Sequence, residues 1–140
     1  MSVNGCVFNQ TGGNALMLSN NVVDTRISDN EFVFIGDSAI AALGSSDRIF
    51  STARTYPNRV VIQYNHIHEV GIFGKQTSCY FQAIASNVSV LDNLCYNGPR
   101  AGLNYNDGHG GNNHIEGNLV FGMVVRRVPL SLILCHAHAH

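Results

Sequence analysis

Between residues 75 and 109 the chain carries Lys75, Arg100, Asn104, Asn106, Asp107 and His109, set among many glycines and asparagines. A lysine or arginine held beside a carboxylate neutralises it and can take the proton α to it, whereas an aspartate serves as a general acid or as a calcium ligand. The plainer alternative is a surface Lys75–Asp107 ion pair beside a turn in which Gly108, Gly110 and Gly111 supply positive φ. Just upstream, "NHIHEV" holds His66, His68 and Glu69. In an extended segment His66 and His68 share one side and Ile67 takes the other. With His109 or His114 they form a conceivable metal cluster. Calcium prefers carboxylates, however, and only Glu69 and Asp107 are at hand. No metal is expected and no cofactor is required, calcium being the one ion kept open.

Composition narrows the partners. Charged residues make up 12% of the 140, the formal net charge is -1 and Lys75 is the single lysine, so electrostatic binding to nucleic acid is excluded as an expectation. The longest apolar stretch, Val128 to Cys135, is broken by Pro129 and Ser131 and is too short for a bilayer, which needs about 20 residues. The opening "MSVNGCVFNQ" lacks the basic and apolar regions of a signal peptide.

The elements that would position these side chains are short strands, because β-branched and aromatic runs alternate with Asn and Gly and helical periodicity is absent. Five segments align: "VNGCVF" from Val3, "ISDNEF" from Ile27, "IQYNHI" from Ile62, "VLDNLC" from Val90 and "HIEGNLV" from His114. Their common slot holds Cys6, Asn30, Asn65, Asn93 and Asn118, spaced by 24, 35, 28 and 25 residues, the lengths of solenoid coils. Nine residues beyond the slot come Ala15-Leu16, Ala39-Ile40 and Gly102-Leu103, and in the third coil Gly71-Ile72 stands three residues early. The long spacing of 35 places a protruding loop at Gly44 to Arg59.

These anchored coils, the Asn slot shared with Cys and the Gly-rich turns resemble right-handed parallel β-helix repeat proteins of the pectate-lyase-like superfamily over about residues 3 to 123. The resemblance implies an all-β solenoid of about five coils with an internal Asn ladder. Amides stacked about 4.8 Å apart satisfy one another where water cannot reach. It also implies polysaccharide binding along the outward face of one parallel sheet. If Leu16, Ile40, Ile72 and Leu103 point inward, then Met17, Ala41, Phe73 and Asn104 point outward, followed by Ser19, Leu43, Lys75 and Asn106. Lys75, Arg100 and Asp107 are then the catalytic candidates, and Asn104, Asn106, His109 and His68 the substrate-binding ones.

The expected function is that of a carbohydrate-active β-helix protein, a lyase or hydrolase of an acidic polysaccharide. The alternative is a non-catalytic glycan-binding or structural module. A glycosidase needs two carboxyls about 5 to 9.5 Å apart, and Asp107 has no clear second acid. Residues 1–123 read as coils of a longer solenoid with uncapped ends open to self-association, and 124–140 as an atypical tail outside it. The alternating His136, His138 and His140 of that tail read as an adventitious chelator. Cys6 and Cys95 are expected as interior fillers, and the four cysteines define no disulfide frame. Two sequons, at Asn9 and Asn87, suggest the secretory pathway.

Overall fold

The computed structural model describes residues 1–45, 55–106 and 110–124, and the backbone alone at 133–134. The chain is a parallel β-helix in which the first four coils each contribute a strand to three sheets and the fifth to two of them among the described residues. Sheet A stacks β1 (Ser2–Asn4), β4 (Val23–Ser28), β7 (Asn58–Gln63), β10 (Ser86–Leu91) and β13 (His114–Glu116). Sheet B stacks β2 (Val7–Asn9), β5 (Glu31–Ile35), β8 (His66–Val70), β11 (Leu94–Gly98) and β14 (Leu119–Met123). Sheet C stacks β3 (Leu16–Ser19), β6 (Ile40–Leu43), β9 (Ser78–Ala83) and β12 (Ala101–Asn106). All these pairings are parallel, while β15 (Ile133–Leu134) joins the free edge of β14 antiparallel.

The turn from sheet A to sheet B has two residues in every coil. The first is left-handed, at Gly5, Asp29, Tyr64, Asp92 and Gly117, with φ between 49 and 68°. The second is the anchor slot, and the predicted ladder runs through it. Asn30 Nδ2 donates to Asn65 Oδ1, Asn65 Nδ2 to Asn93 Oδ1 and Asn93 Nδ2 to Asn118 Oδ1, each at 2.9 Å. Every Oδ1 also accepts the backbone N–H of the preceding slot, from Cys6, Asn30, Asn65 and Asn93 in turn. Each Nδ2 spends its other proton on a carbonyl of the coil before: Val3, Ile27, Ile62 and Val90. The four amides are buried, yet among the described residues no buried side-chain nitrogen or oxygen lacks a partner. Alanine has no group that could take these bonds, so the slot demands a carboxamide.

Inside, like residues stack on like. Val3, Ile27, Ile62, Val90 and Ile115 form one column under sheet A, and Phe8, Phe32, Ile67, Cys95 and Val120 another under sheet B. Phe8 and Phe32 lie parallel with centroids 4.7 Å apart. Fully burying a side chain such as Ile27 or Ile62 contributes roughly 1.5–3 kcal/mol.

Two expectations about cysteine are corrected. Cys79 in β9 and Cys95 in β11 form a disulfide across the core, 16 residues apart in sequence. Closing a loop of that length contributes about 3 kcal/mol in the chain-entropy account. The spacing gave no hint because the partners lie on different sheets of adjacent coils. Cys6, in the first slot, is exposed and not interior. Cys135 lies outside the described residues, as do His136, His138 and His140.

Of the expected protruding loop only the ends are described: β6 ends at Leu43, β7 begins at Asn58, and Ser45 N–H donates to Thr55 O at 3.0 Å. Residues 46–54 lie outside the described set.

Replacing Asn65 with Ala strips partners from the Asn30 N–H, the Asn30 amide and the Ile27 carbonyl together. Urea denaturation should show a loss of about 3 kcal/mol or more, because each orphaned buried group costs about 1–3 kcal/mol. Asn4→Ala, an exposed position, should stay within about 0.5 kcal/mol.

Candidate functional site

The sequence-predicted residues fall on two surfaces. The first comprises the turns from sheet B to sheet C together with the outer face of sheet C. Lys75 stands in the turn Gly71 to Thr77, not on a strand, and this corrects its assignment to a column with Asn106. The inward column is Leu16, Ile40, Tyr80 and Leu103, so the third coil contributes Phe81 and Ala83, not Phe73 and Lys75, beside Asn104 and Asn106. Ile72 is 43% exposed and Phe73 is 74% exposed.

The physical reason is an insertion. From the slot to the inward residue takes 10 residues in the first, second and fourth coils and 15 in the third. The extra residues bulge outward at the corner between sheets B and C, where an insertion costs no ladder bond. The pair Cys79-Tyr80 matches Ala39-Ile40 once Cys is read as a small residue.

The inserted turn is well tied. Ile72, Phe73 and Gly74 donate their N–H groups to Ile35 O and to Gly36 O of the coil before. Gly71 has φ +70°, and a Cβ there would lie 2.4 Å from Pro99 Cγ, so only glycine lets adjacent turns stack this closely. Lys75 Nζ donates to the carbonyls of Gly71 at 2.8 Å and Ile72 at 3.0 Å, fixing its charge over the turn. Arg100, on the next coil's turn, reaches Gln76 Oε1 at 3.5 Å. Asn104 and Asn106 follow on β12, two residues apart and hence on one side of the strand. The structure therefore places Lys75 and Arg100 on neighbouring turns, with Asn104 and Asn106 further along the strand that follows Arg100. Asp107 and His109 lie outside the described residues.

His68 belongs to the second surface, the outer face of sheet B, with Glu31, His66, Glu69, Tyr96 and Phe121. Register puts Glu31 beside His66 and then Leu94, and Val33 beside His68, Tyr96 and Phe121. The His68, Tyr96 and Phe121 rings stack, with centroids 5.0 and 4.9 Å apart. His68 Nε2 lies 3.4 Å and His66 Nδ1 3.9 Å from Glu31 Oε1. The opposite ring nitrogens are also occupied, His66 Nε2 by Tyr96 Oη at 3.0 Å and His68 Nδ1 by Glu69 Oε2. Glu69 reaches its sequence neighbour because its φ of 51° breaks strand alternation, and Asn97 Nδ2 donates to its other oxygen at 2.7 Å. Glu31 and Tyr96 were absent from the candidates that the sequence supplied. The signal was there: they occupy the first and third positions after the slot, as His66 and His68 do.

No family model matches the chain, and no curated protein or solved structure matches it either.

Two tyrosines at the far side of sheet C depart from the ordinary range. Burial pushes the Tyr80 phenol well up, and the neighbouring Tyr105 adds to the effect. Tyr80 Oη donates to the buried Gln82 Oε1 at 2.8 Å, and Gln82 Nε2 donates on to Ala85 O. Tyr105, packed edge-on against Tyr80, is raised by burial as well. A group raised in the folded state leaves stability intact below its unfolded value, near pH 10, and removes it as pH climbs from there toward the folded value. Denaturation free energy should accordingly fall steadily above about pH 10, less steeply in Tyr105→Phe. A flat profile from there into strong alkali contradicts the burial of the Tyr80 phenol.

Proposed function

We propose that the chain is a glycan-binding β-helix of the pectate-lyase-like kind, taking an acidic polysaccharide along sheet C and the turns that lead into it. One observation carries the reading. Two cations on adjoining turns, Lys75 and Arg100, stand at the entry to sheet C, where β12 carries Asn104 and Asn106 further along, and the exposed Phe73 shares the turn of Lys75. Cations pair with uronate carboxylates, carboxamides both donate to and accept from sugar hydroxyls, and an exposed ring packs on the apolar face of a pyranose.

Binding comes before turnover in this reading because the Lys75 ammonium already donates to two carbonyls and serves as a fixed charge. Turnover is the second reading. Arg100 is exposed, and its long 3.5 Å contact with Gln76 leaves the guanidinium open to a substrate carboxylate. A lyase would then use Lys75 or Arg100 next to the uronate, with Asp107 as acid or calcium ligand. The disulfide and the two sequons support an oxidising, secretory setting.

Calorimetric titration with oligogalacturonate tests this, with a neutral cello-oligosaccharide as the control and ultraviolet absorbance of an unsaturated uronide as the readout for cleavage. Lys75→Ala and Arg100→Ala should each weaken binding about fivefold, the loss of roughly 1 kcal/mol from one exposed ion pair, and added salt should mimic them. Product formation abolished by Lys75→Ala would move the reading to a lyase. Equal affinity for the neutral sugar, or no saturable binding, contradicts an acidic-glycan site.

A further inference from the structure

We propose that Glu31, His66 and His68 form a zinc site on the outer face of sheet B, clamping the second coil to the third. The residues come from adjacent strands, Glu31 from β5 and the two histidines from β8, and one donor atom of each lies within 4.8 Å of the others. Ligands about 2.0–2.1 Å from a tetrahedral zinc ion stand roughly 3.4 Å apart. The His68 Nε2 to Glu31 Oε1 distance is already 3.4 Å, and His66 Nδ1 needs to close by only a few tenths of an ångström from 3.9 Å.

The surroundings prepare the ligands. His68 Nδ1 faces the Glu69 carboxylate, which accepts its N–H and leaves Nε2 as the nitrogen turned toward Glu31. Asn97 in turn fixes Glu69. His66 Nε2 meets Tyr96 Oη, so its Nδ1 is free to coordinate. Carboxylate or hydroxyl partners on the far ring nitrogen are the usual supports of a metal-bound histidine, setting tautomer and orientation. Stacking of the His68 ring on Tyr96 at 7° between planes restrains its rotation. Two imidazoles and one carboxylate suit zinc, whereas calcium calls for six to eight oxygens that this face does not offer. Both histidines and the glutamate retain some exposure, which leaves the fourth position to water or an incoming ligand.

This site is separate from the proposed glycan face, and its test uses no glycan. The full chain bearing H136A/H138A/H140A, which silences the alternating histidines of the tail, is stripped with chelator and titrated with zinc sulfate alone at neutral pH. The expected result is one zinc per chain with a dissociation constant of about 1 µM or tighter. Glu31→Gln and His68→Gln should each weaken it at least tenfold while the circular dichroism spectrum stays unchanged, and a calcium salt should not compete. Should a variant fail to fold, ring ¹⁵N spectra of the parent decide: zinc should shift Nδ1 of His66 and Nε2 of His68. Uptake that is unsaturated at about 1 mM, that survives loss of Glu31 or His68, or that leaves both rings unshifted overturns the site.

Discussion

A buried carboxamide must find two acceptors and at least one donor, or it costs more than it contributes. In this chain the four stacked amides of Asn30, Asn65, Asn93 and Asn118 solve that problem for one another, the first three bonded to the coil before and the coil after and Asn118 to the coil before and to Glu116 O of its own. Because the solution works only when the slots lie directly above one another, the ladder fixes the register of every coil at the corner between sheets A and B. That corner keeps two residues throughout, the first in the left-handed region. Counting forward from the slot then decides which side chains meet: Glu31 with His66 at the first position, His68 with Tyr96 and Phe121 at the third.

Variation is pushed to the other two corners. The turns from B to C differ from coil to coil, and the connection from C to A carries the second coil's long loop. Lys75 and Arg100 stand on such turns, and Asn104 and Asn106 on the strand that leaves one. The rigid corner therefore positions a stiff face of rings, imidazoles and carboxylates on sheet B, while the variable corner builds a polar surface whose shape follows from turn length. Opposite charges also tie neighbouring coils at the entry to sheet A. There Arg59 Nε and Nη2 each lie 2.6 Å from an oxygen of Asp24, and this carboxylate holds the guanidinium pKa above its ordinary value.

Much of the fold was legible in the sequence because the ladder imposes asparagine at four of the five slots, Cys6 holding the first. Asn30, Asn65, Asn93 and Asn118 stand out even though their spacings are irregular. The third coil's inward column was not legible. Its inserted turn contains Gly71-Ile72, a small residue followed by an aliphatic one, whereas the true pair is Cys79-Tyr80, where a disulfide cysteine plays the small residue and a tyrosine the large one. The Cys79–Cys95 bond was hidden for a related reason: the two positions become neighbours only when coils are stacked and the B–C turn length is known. The sheet B cluster depended on the same stacking, since Glu31 and His66 are 35 residues apart and meet through register.

The most direct test of the ladder as the organising interaction is hydrogen exchange of the asparagine side-chain amides, followed by NMR in the folded protein. The account predicts that the Nδ2 protons of Asn30, Asn65 and Asn93 exchange as slowly as the backbone amides of Ile62 and Val90, and that those of the exposed Asn4 exchange at the rate of a free amide. Ladder protons exchanging as fast as those of Asn4 would contradict it, and the register of every outward column would then need another cause.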